Sequence, residues 1–277
     1  MKKILVLTDF SACATAAANA AIKIARKAQA EIYFIHFHES VTVSGHVHVP
    51  AINPESGEQK ELMGALKNAL QTLVIEADHA GVKATPILVT NPDETPKQYI
   101  ESLHADLIVM GSHGVKGIKE IFVGSNTQRV IRQTNIPVLV VKKTVLSDFR
   151  KILFAYDFQE DLIKPFEMVL DFTNLWKADL DLLFVNVPFR FKGTEEVTAD
   201  IRRFMHQFPR ANYSPHIYNA FDEVTGIHNF AREHQADLVA VVTHGKTGFN
   251  RLLSHSVAES VINHEEIPVL VVNIGRP

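Results

Sequence analysis

Short runs of consecutive apolar residues recur along this chain, separated by stretches with helical spacing. In the first half the runs fall at 3–8, 31–37, 83–89, 106–110 and 137–142, and helical stretches lie near 12–28, 57–80, 94–104 and 122–133. Runs that are apolar at nearly every position belong to strands buried on both faces, and their alternation with helices predicts a parallel sheet covered on two sides. The second half repeats the pattern, with strand-like runs near 151–156, 180–186, 214–219, 237–242 and 268–273. The expected fold class is therefore α/β, as two tandem five-stranded parallel open sheets flanked by helices.

The repetition extends to residue identity. Lys3-Ile-Leu-Val-Leu-Thr-Asp9-Phe10 matches Lys151-Ile-Leu-Phe-Ala-Tyr-Asp157-Phe158, an offset of 148 residues. Ala105-Asp-Leu-Ile-Val matches Ala236-Asp-Leu-Val-Ala, and Asn135-Ile-Pro-Val-Leu-Val-Val141 matches Glu266-Ile-Pro-Val-Leu-Val-Val272, both offset by 131. The difference of 17 places extra residues in the first copy, most simply between His38 and Glu61. Self-similarity of this kind marks a duplicated unit. Domains are expected at 1–145 and 149–277, joined by a short linker near Lys143 to Asp148 that lacks Gly and Pro, so the two should pack together.

Composition narrows the function classes. The 277 residues suffice for two domains, each with its own core. A formal net charge of -3 argues against broad nucleic-acid binding. No apolar run approaches the ~20 residues that span a bilayer, and the N-terminal Lys2-Lys3-Ile4-Leu5-Val6-Leu7-Thr8-Asp9 reads as a first strand rather than a signal peptide. One cysteine, Cys13, excludes an internal disulfide and fits a reducing cytoplasm. It stands among alanines and threonine, as a close-packed helix requires.

Candidate chemistry concentrates after the fourth strand, in Gly111-Ser-His-Gly114-Val-Lys-Gly-Ile-Lys-Glu-Ile-Phe-Val-Gly124-Ser125-Asn126. Glycines after a strand, then a Gly-Ser step opening a helix, can hold phosphates on backbone N–H groups. The same features can also be a tight turn and a helix start. In open α/β sheets ligands lie beyond the carboxyl ends of the strands, where strand order reverses. Asp9, His36-Phe37 and Gly111 all fall at such ends.

With these residues in view, the chain resembles the universal stress protein family in its tandem two-domain form. ATP-binding members of that family carry Gly, two residues, Gly, nine residues, Gly, then Ser or Thr, and Gly111, Gly114, Gly124 and Ser125 meet that spacing in full. Met110-Gly-Ser-His-Gly114, Val123-Gly-Ser125, Pro137-Val-Leu-Val-Val141 and Thr8-Asp9-Phe10-Ser11 are similar too. The resemblance covers essentially the whole chain, twice. It implies a Rossmann-like, adenine-nucleotide alpha-hydrolase-like fold, with the fifth strands Val138–Val141 and Val269–Val272 at an inter-domain contact that makes a pseudo-dimer within one chain. It further implies ATP as the ligand. Asp9 would lie beside the adenosine, the Phe37 backbone at the adenine edge, and Gly111 and Gly114 against ribose and phosphates. Gly124, Ser125 and Asn126 would give N–H groups, and Ser125 its hydroxyl, to the phosphates.

The second copy departs from the motif. By the 131-residue offset Val242 stands where Gly111 does and His255 where Gly124 does, while Gly245, Gly248 and Ser256 remain. A structural second domain is expected there. Gly245-Lys246-Thr247 is not a P-loop, since Ala240 occupies the position of its first glycine. His36, His38, His46 and His48 match no compact zinc motif. In Ile201-Arg202-Arg203-Phe204-Met205, helical spacing puts the apolar residues on one face and leaves the arginines outward.

No nucleophile, base and orienter assemble, so no catalytic residue and no metal ligand is assigned. The expected function is an ATP-binding, stress-responsive regulatory module of the cytoplasm with little or no turnover. Its partners would be an adenine nucleotide and a protein or second copy, not nucleic acid or membrane. Slow ATP hydrolysis with Mg2+ bridging the phosphates, and a scaffold that binds no nucleotide, stand as alternatives.

Overall fold

A computed structural model of the chain describes residues 1–38, 57–90, 96–112, 124–143, 148–156, 162–243 and 254–274, without the side chains of 254–256. In the first half β1 (Lys3–Leu7), β2 (Glu31–Phe37), β3 (Ala84–Val89), β4 (Leu107–Gly111) and β5 (Val138–Val141) alternate with α1 (Ala12–Ala28), α2 (Gly57–His79), α3 (Pro96–Ser102) and α4 (Ser125–Gln133). The second half runs β6 (Lys151–Ala155), α5 (Ile163–Trp176), β7 (Asp179–Asn186), α6 (Thr194–Met205), β8 (Ser214–Asn219), α7 (Glu223–Glu233), β9 (Leu238–Thr243), α8 (Ser254–His264) and β10 (Val269–Asn273).

The two five-stranded units join along their fifth strands, as the resemblance implies. They make one ten-stranded sheet in the order β3-β2-β1-β4-β5-β10-β9-β6-β7-β8. Pairing is parallel within each half and antiparallel where β5 meets β10. The register there is Val138 with Val271, Leu139 with Leu270 and Val140 with Val269. The duplication carries residue 139 onto residue 270, so the central pair joins equivalent residues and the junction has local two-fold symmetry. All four residues of β5 are buried. Left at an edge, such a strand would expose an apolar template for aggregation; pairing with its duplicate removes that edge. The two outer edges, β3 and β8, carry Pro86 and Pro215, which offer no N–H to a further strand.

The halves fill their cores differently. The buried face of α1 is largely alanine, from Ala14 to Ala25, which lets the helix approach the sheet closely. The 148-residue offset carries Ala18, Ile24 and Ala28 onto Phe166, Phe172 and Trp176 of α5. There aromatic rings interlock: Phe149 lies 5.4 Å from Phe172 and 5.2 Å from Trp176, and Phe166 lies 5.1 Å from Phe204. Ile201, Phe204 and Met205 are buried while Arg202 and Arg203 face outward, as their spacing predicts.

Polar contacts lock the junction. Lys142 Nζ donates to the Asn263 carbonyl at 2.6 Å. Asn273, the residue 131 positions on, donates through Nδ2 to the Thr134 carbonyl at 2.9 Å. Arg132 grips Glu259 through both carboxylate oxygens at 2.7 and 2.9 Å. Behind them Glu265 is buried, and desolvation pushes its carboxyl above the usual range despite His228 at 3.3 Å and the nearby charges of Lys142 and His264. Lys142 is held below its ordinary range, again chiefly by desolvation. A carboxyl raised in the folded state adds stability below its unfolded value and loses that contribution as pH rises through the folded value. Glu265→Gln should therefore melt higher than the native chain at neutral pH, with the gap closing as pH falls toward 4. Thermal melts across that range check this; a gap independent of pH would remove Glu265 as its source.

Candidate functional site

The strand order turns between β1 and β4, because β1 leads outward to β2 and β4 leads toward the junction. This reversal opens a crevice at the carboxyl edge of the first half. Asp9 follows β1 on one side of the crevice, Gly111 ends β4 on the other, and Phe37 ends β2 one strand further out. Of the motif residues expected from the sequence, Asp9, Phe37, Gly111, Gly124, Ser125 and Asn126 lie on this one edge. Gly114, with Lys116 and His113, lies outside the described residues, as do His46, His48, Asp157, His244, Gly245, Lys246 and Gly248.

The turn from β1 into α1 is firmly tied. The Thr8 N–H donates to the Ile35 carbonyl at 2.9 Å, and His36 Nδ1 bonds the Thr8 carbonyl at 2.8 Å. Asp9 Oδ1 accepts from the Ser11 N–H at 3.1 Å, which orients the carboxylate beside the crevice. Phe10 takes a positive φ of 64°, a conformation costly for a bulky side chain, and its ring rests 4.9 Å from the His36 ring. His36 is thus a fastener of this turn. Ser11 then caps α1, its hydroxyl accepting from Ala14 at 3.2 Å.

Gly111 has a structural reason of its own. A Cβ at this position would stand 2.9 Å from the Ala14 nitrogen, the Cys13 carbonyl carbon and Cys13 Cβ. The missing side chain lets the first turn of α1 seat against β4. Cys13 itself packs here, its Sγ 3.4 Å from the Lys142 carbonyl at the end of β5.

Helix α4 is anchored on the same strand end. Gly124 donates its N–H to the Ser112 carbonyl at 2.8 Å, and the buried Thr127 hydroxyl donates to the Gly111 carbonyl at 3.0 Å. The Gly124 N–H is therefore engaged within the fold. Gly124 is also the N-cap of α4 and makes no side-chain cap bond. The first-turn N–H groups of Ser125, Asn126 and Thr127 have no acceptor within the helix, and the helix dipole adds positive potential there. The Asn126 side chain turns aside to accept from Arg129 at 2.8 Å. Ser125 and Asn126 are exposed at the crevice rim. Ser112 and Thr127, which fix this geometry, carry no signal in a single sequence beyond their nearness to the glycines. Phe37 packs edge-on against Tyr99 of α3 at 6.2 Å, closing the outer side.

The described residues of the second half differ at the corresponding edge. Val242 ends up partly buried in β9, paired with Val272 and packed into the core. The counterpart of Ala12 by the 148-residue offset is position 160, yet α5 begins at Ile163; like α1, which packs on β4 and β5, it packs on the fifth strand of its half, β10. A valine in the glycine's place obstructs the approach that α1 makes. The side chains of His255 and Ser256 lie outside the described residues.

Comparison with known proteins follows this division. The model of the universal stress protein family matches residues 1–142 and 221–273. Universal stress protein MJ0531 of Methanocaldococcus jannaschii is 38% identical over 143 residues, covering 51% of this chain and 82% of that protein. Universal stress protein MJ0577 of the same organism is 32% identical over 154 residues, covering 51% of this chain and 95% of that one. The crystal structure of a universal stress protein from Archaeoglobus fulgidus is alike in fold over the whole length. It gives a TM-score of 0.75 at 20% identity and covers 99% of this chain and 98% of that one. A single-copy relative thus spans about half of a chain whose halves share one sheet, and this chain belongs to the universal stress protein family.

Proposed function

We propose that residues 1–145 form a nucleotide-binding domain specific for ATP, and that 149–277 form a second domain that has given up the site for packing. The observation that carries this reading is the uncapped first turn of α4 at the strand-order reversal, beside Asp9 and opposite a capped α1. An uncapped helix start supplies N–H donors and positive potential to a triphosphate. The complete glycine spacing, Gly111, Gly114, Gly124 and Ser125, supports ATP in particular through the family resemblance. Asp9 would take the ribose side, Phe37 the adenine side, and Ser125 and Asn126 the phosphates through their N–H groups, with the Ser125 hydroxyl adding a further bond. Mg2+, when present, would screen the phosphates. On this reading the chain acts in the cytoplasm as a binding module that reports nucleotide to a partner.

A second reading has a specific observation in its favour. Gly111 and Gly124 both have structural work, one seating α1 and the other bonding Ser112, and this also suits a scaffold that holds no nucleotide. Calorimetry with MgATP separates the two. The native chain should bind one ATP, Gly114→Val should bind none, and Gly245→Val should bind as the native chain does. Ser125→Ala should weaken binding roughly tenfold, the usual loss for one hydrogen bond to a charged group. Native protein that binds no ATP would leave the scaffold, and two sites per chain would remove the asymmetry. Turnover abolished by Gly114→Val would make the site an ATPase.

Gly111→Ala tests the packing argument by itself. Its added methyl must displace backbone of α1, so unfolding should become easier by about 1–3 kcal/mol. Denaturant titration reads this with no nucleotide present. Unchanged stability would return Gly111 to a role in ligand clearance.

A further inference from the structure

The carboxyl edge of the second half carries an unusual surface. Phe189 is 93% exposed, Phe221 80% and Phe191 69%. These rings belong to two loops that leave adjacent strands, β7 and β8, whose last residues Asn186 and Asn219 are paired. The loops are held in place. Asn186, itself buried, clamps the backbone of Lys192 with two bonds of 3.0 Å, closing 187–191 into a fixed excursion around a short 3-10 turn at Pro188–Arg190. The Ala220 N–H donates to the Asn186 carbonyl at 3.1 Å, and Arg190 pairs with Glu223, which ties the two loops together beneath the rings. Three phenylalanines are thus displayed on a braced platform rather than on a free strand of chain.

The geometry points to this platform as a self-association surface, on which a second copy of the chain docks about a two-fold axis. Area favours that occupant. At roughly 200 Å² per phenylalanine the rings expose about 480 Å², within the size of patches that mark interaction sites. Two such patches face to face would bury about 1,000 Å² in total, the lower bound of a specific interface and the size of a weak, reversible one. A two-fold axis brings like groups together, so charge bears on this occupant too. Arg190 is paired with Glu223, and Lys192 reaches Asp200 at 2.8 Å and Glu196 at 3.7 Å, so both cations beside the rings are paired. With Asp222 next to Phe221 the platform keeps a small negative excess, which salt screens. Strand-edge routes to self-association are disfavoured among the described residues: β5 and β10 occupy each other, and the outer strands carry Pro86 and Pro215. The inference is independent of nucleotide binding.

Sedimentation velocity of the full chain from about 1 to 500 μM tests it. The native protein should pass reversibly from monomer to dimer within that range. The triple variant Phe189→Ser, Phe191→Ser, Phe221→Ser should stay monomeric, moving the midpoint more than tenfold. Its melting temperature should match that of the native chain, since the rings contribute little to the core. Phe221→Arg should weaken association by setting like charges near the axis, and high salt should partly restore it. A native chain monomeric throughout, or a triple variant that dimerises as the native does, would overturn the proposal. A monomer whose rings instead take up a planar aromatic dye or an apolar peptide would overturn it in favour of a ligand platform.

Discussion

The antiparallel pairing of β5 with β10 is the contact on which the rest of this molecule depends. Each strand is a short Val-Leu-Val-Val run buried on both faces, and neither could remain at an edge without exposing apolar surface and unpaired backbone. Pairing each with its own duplicate solves both problems and fuses two open sheets into one. The local two-fold symmetry through Leu139 and Leu270 follows from the duplication. So does the matched pair of bonds from Lys142 and Asn273, residues 131 apart, onto the chain near the ends of α8 and α4. The crevice and the aromatic platform consequently belong to one continuous framework.

That framework was written plainly in the chain. Strands buried on both faces produce uninterrupted apolar runs, so the expected 31–37 and 214–219 coincide with β2 and β8, and the others shift by a residue or so. The repeats of Lys3–Phe10 and Asn135–Val141 revealed the duplication, and the motif spacing revealed the edge where a ligand would sit. The contact between the two fifth strands was implied by the family resemblance and not by the periodicity, which carries no information about what lies beside an edge strand.

The finer features of the crevice were not legible, and the reason is distance along the chain. Gly111 is glycine because α1, nearly a hundred residues earlier, presses its backbone into that space. Gly124 spends its N–H on Ser112, across a loop. His36 is a fastener because Thr8, on the neighbouring strand, turns its carbonyl toward the ring. Each assignment requires knowing which strand neighbours which, and a local pattern cannot supply that. The spacing of the glycines records that close approaches occur without recording what approaches.

The asymmetry between the halves has a physical explanation in this shared sheet. In the first half, alanines on α1 and a glycine at the end of β4 keep the helix close to the strand ends, which fixes the crevice at the cost of bulk in the core. In the second half, phenylalanines and a tryptophan on α5 fill that volume and bury far more apolar area per residue. Val242 in place of the glycine accompanies a helix that begins later in its copy. A crevice and a bulky core compete for the same few ångströms between the first helix and the fourth strand of the unit, so one copy cannot maximise both. A duplicated chain with one cooperative sheet escapes the conflict: the aromatic half contributes packing and the alanine half keeps the opening.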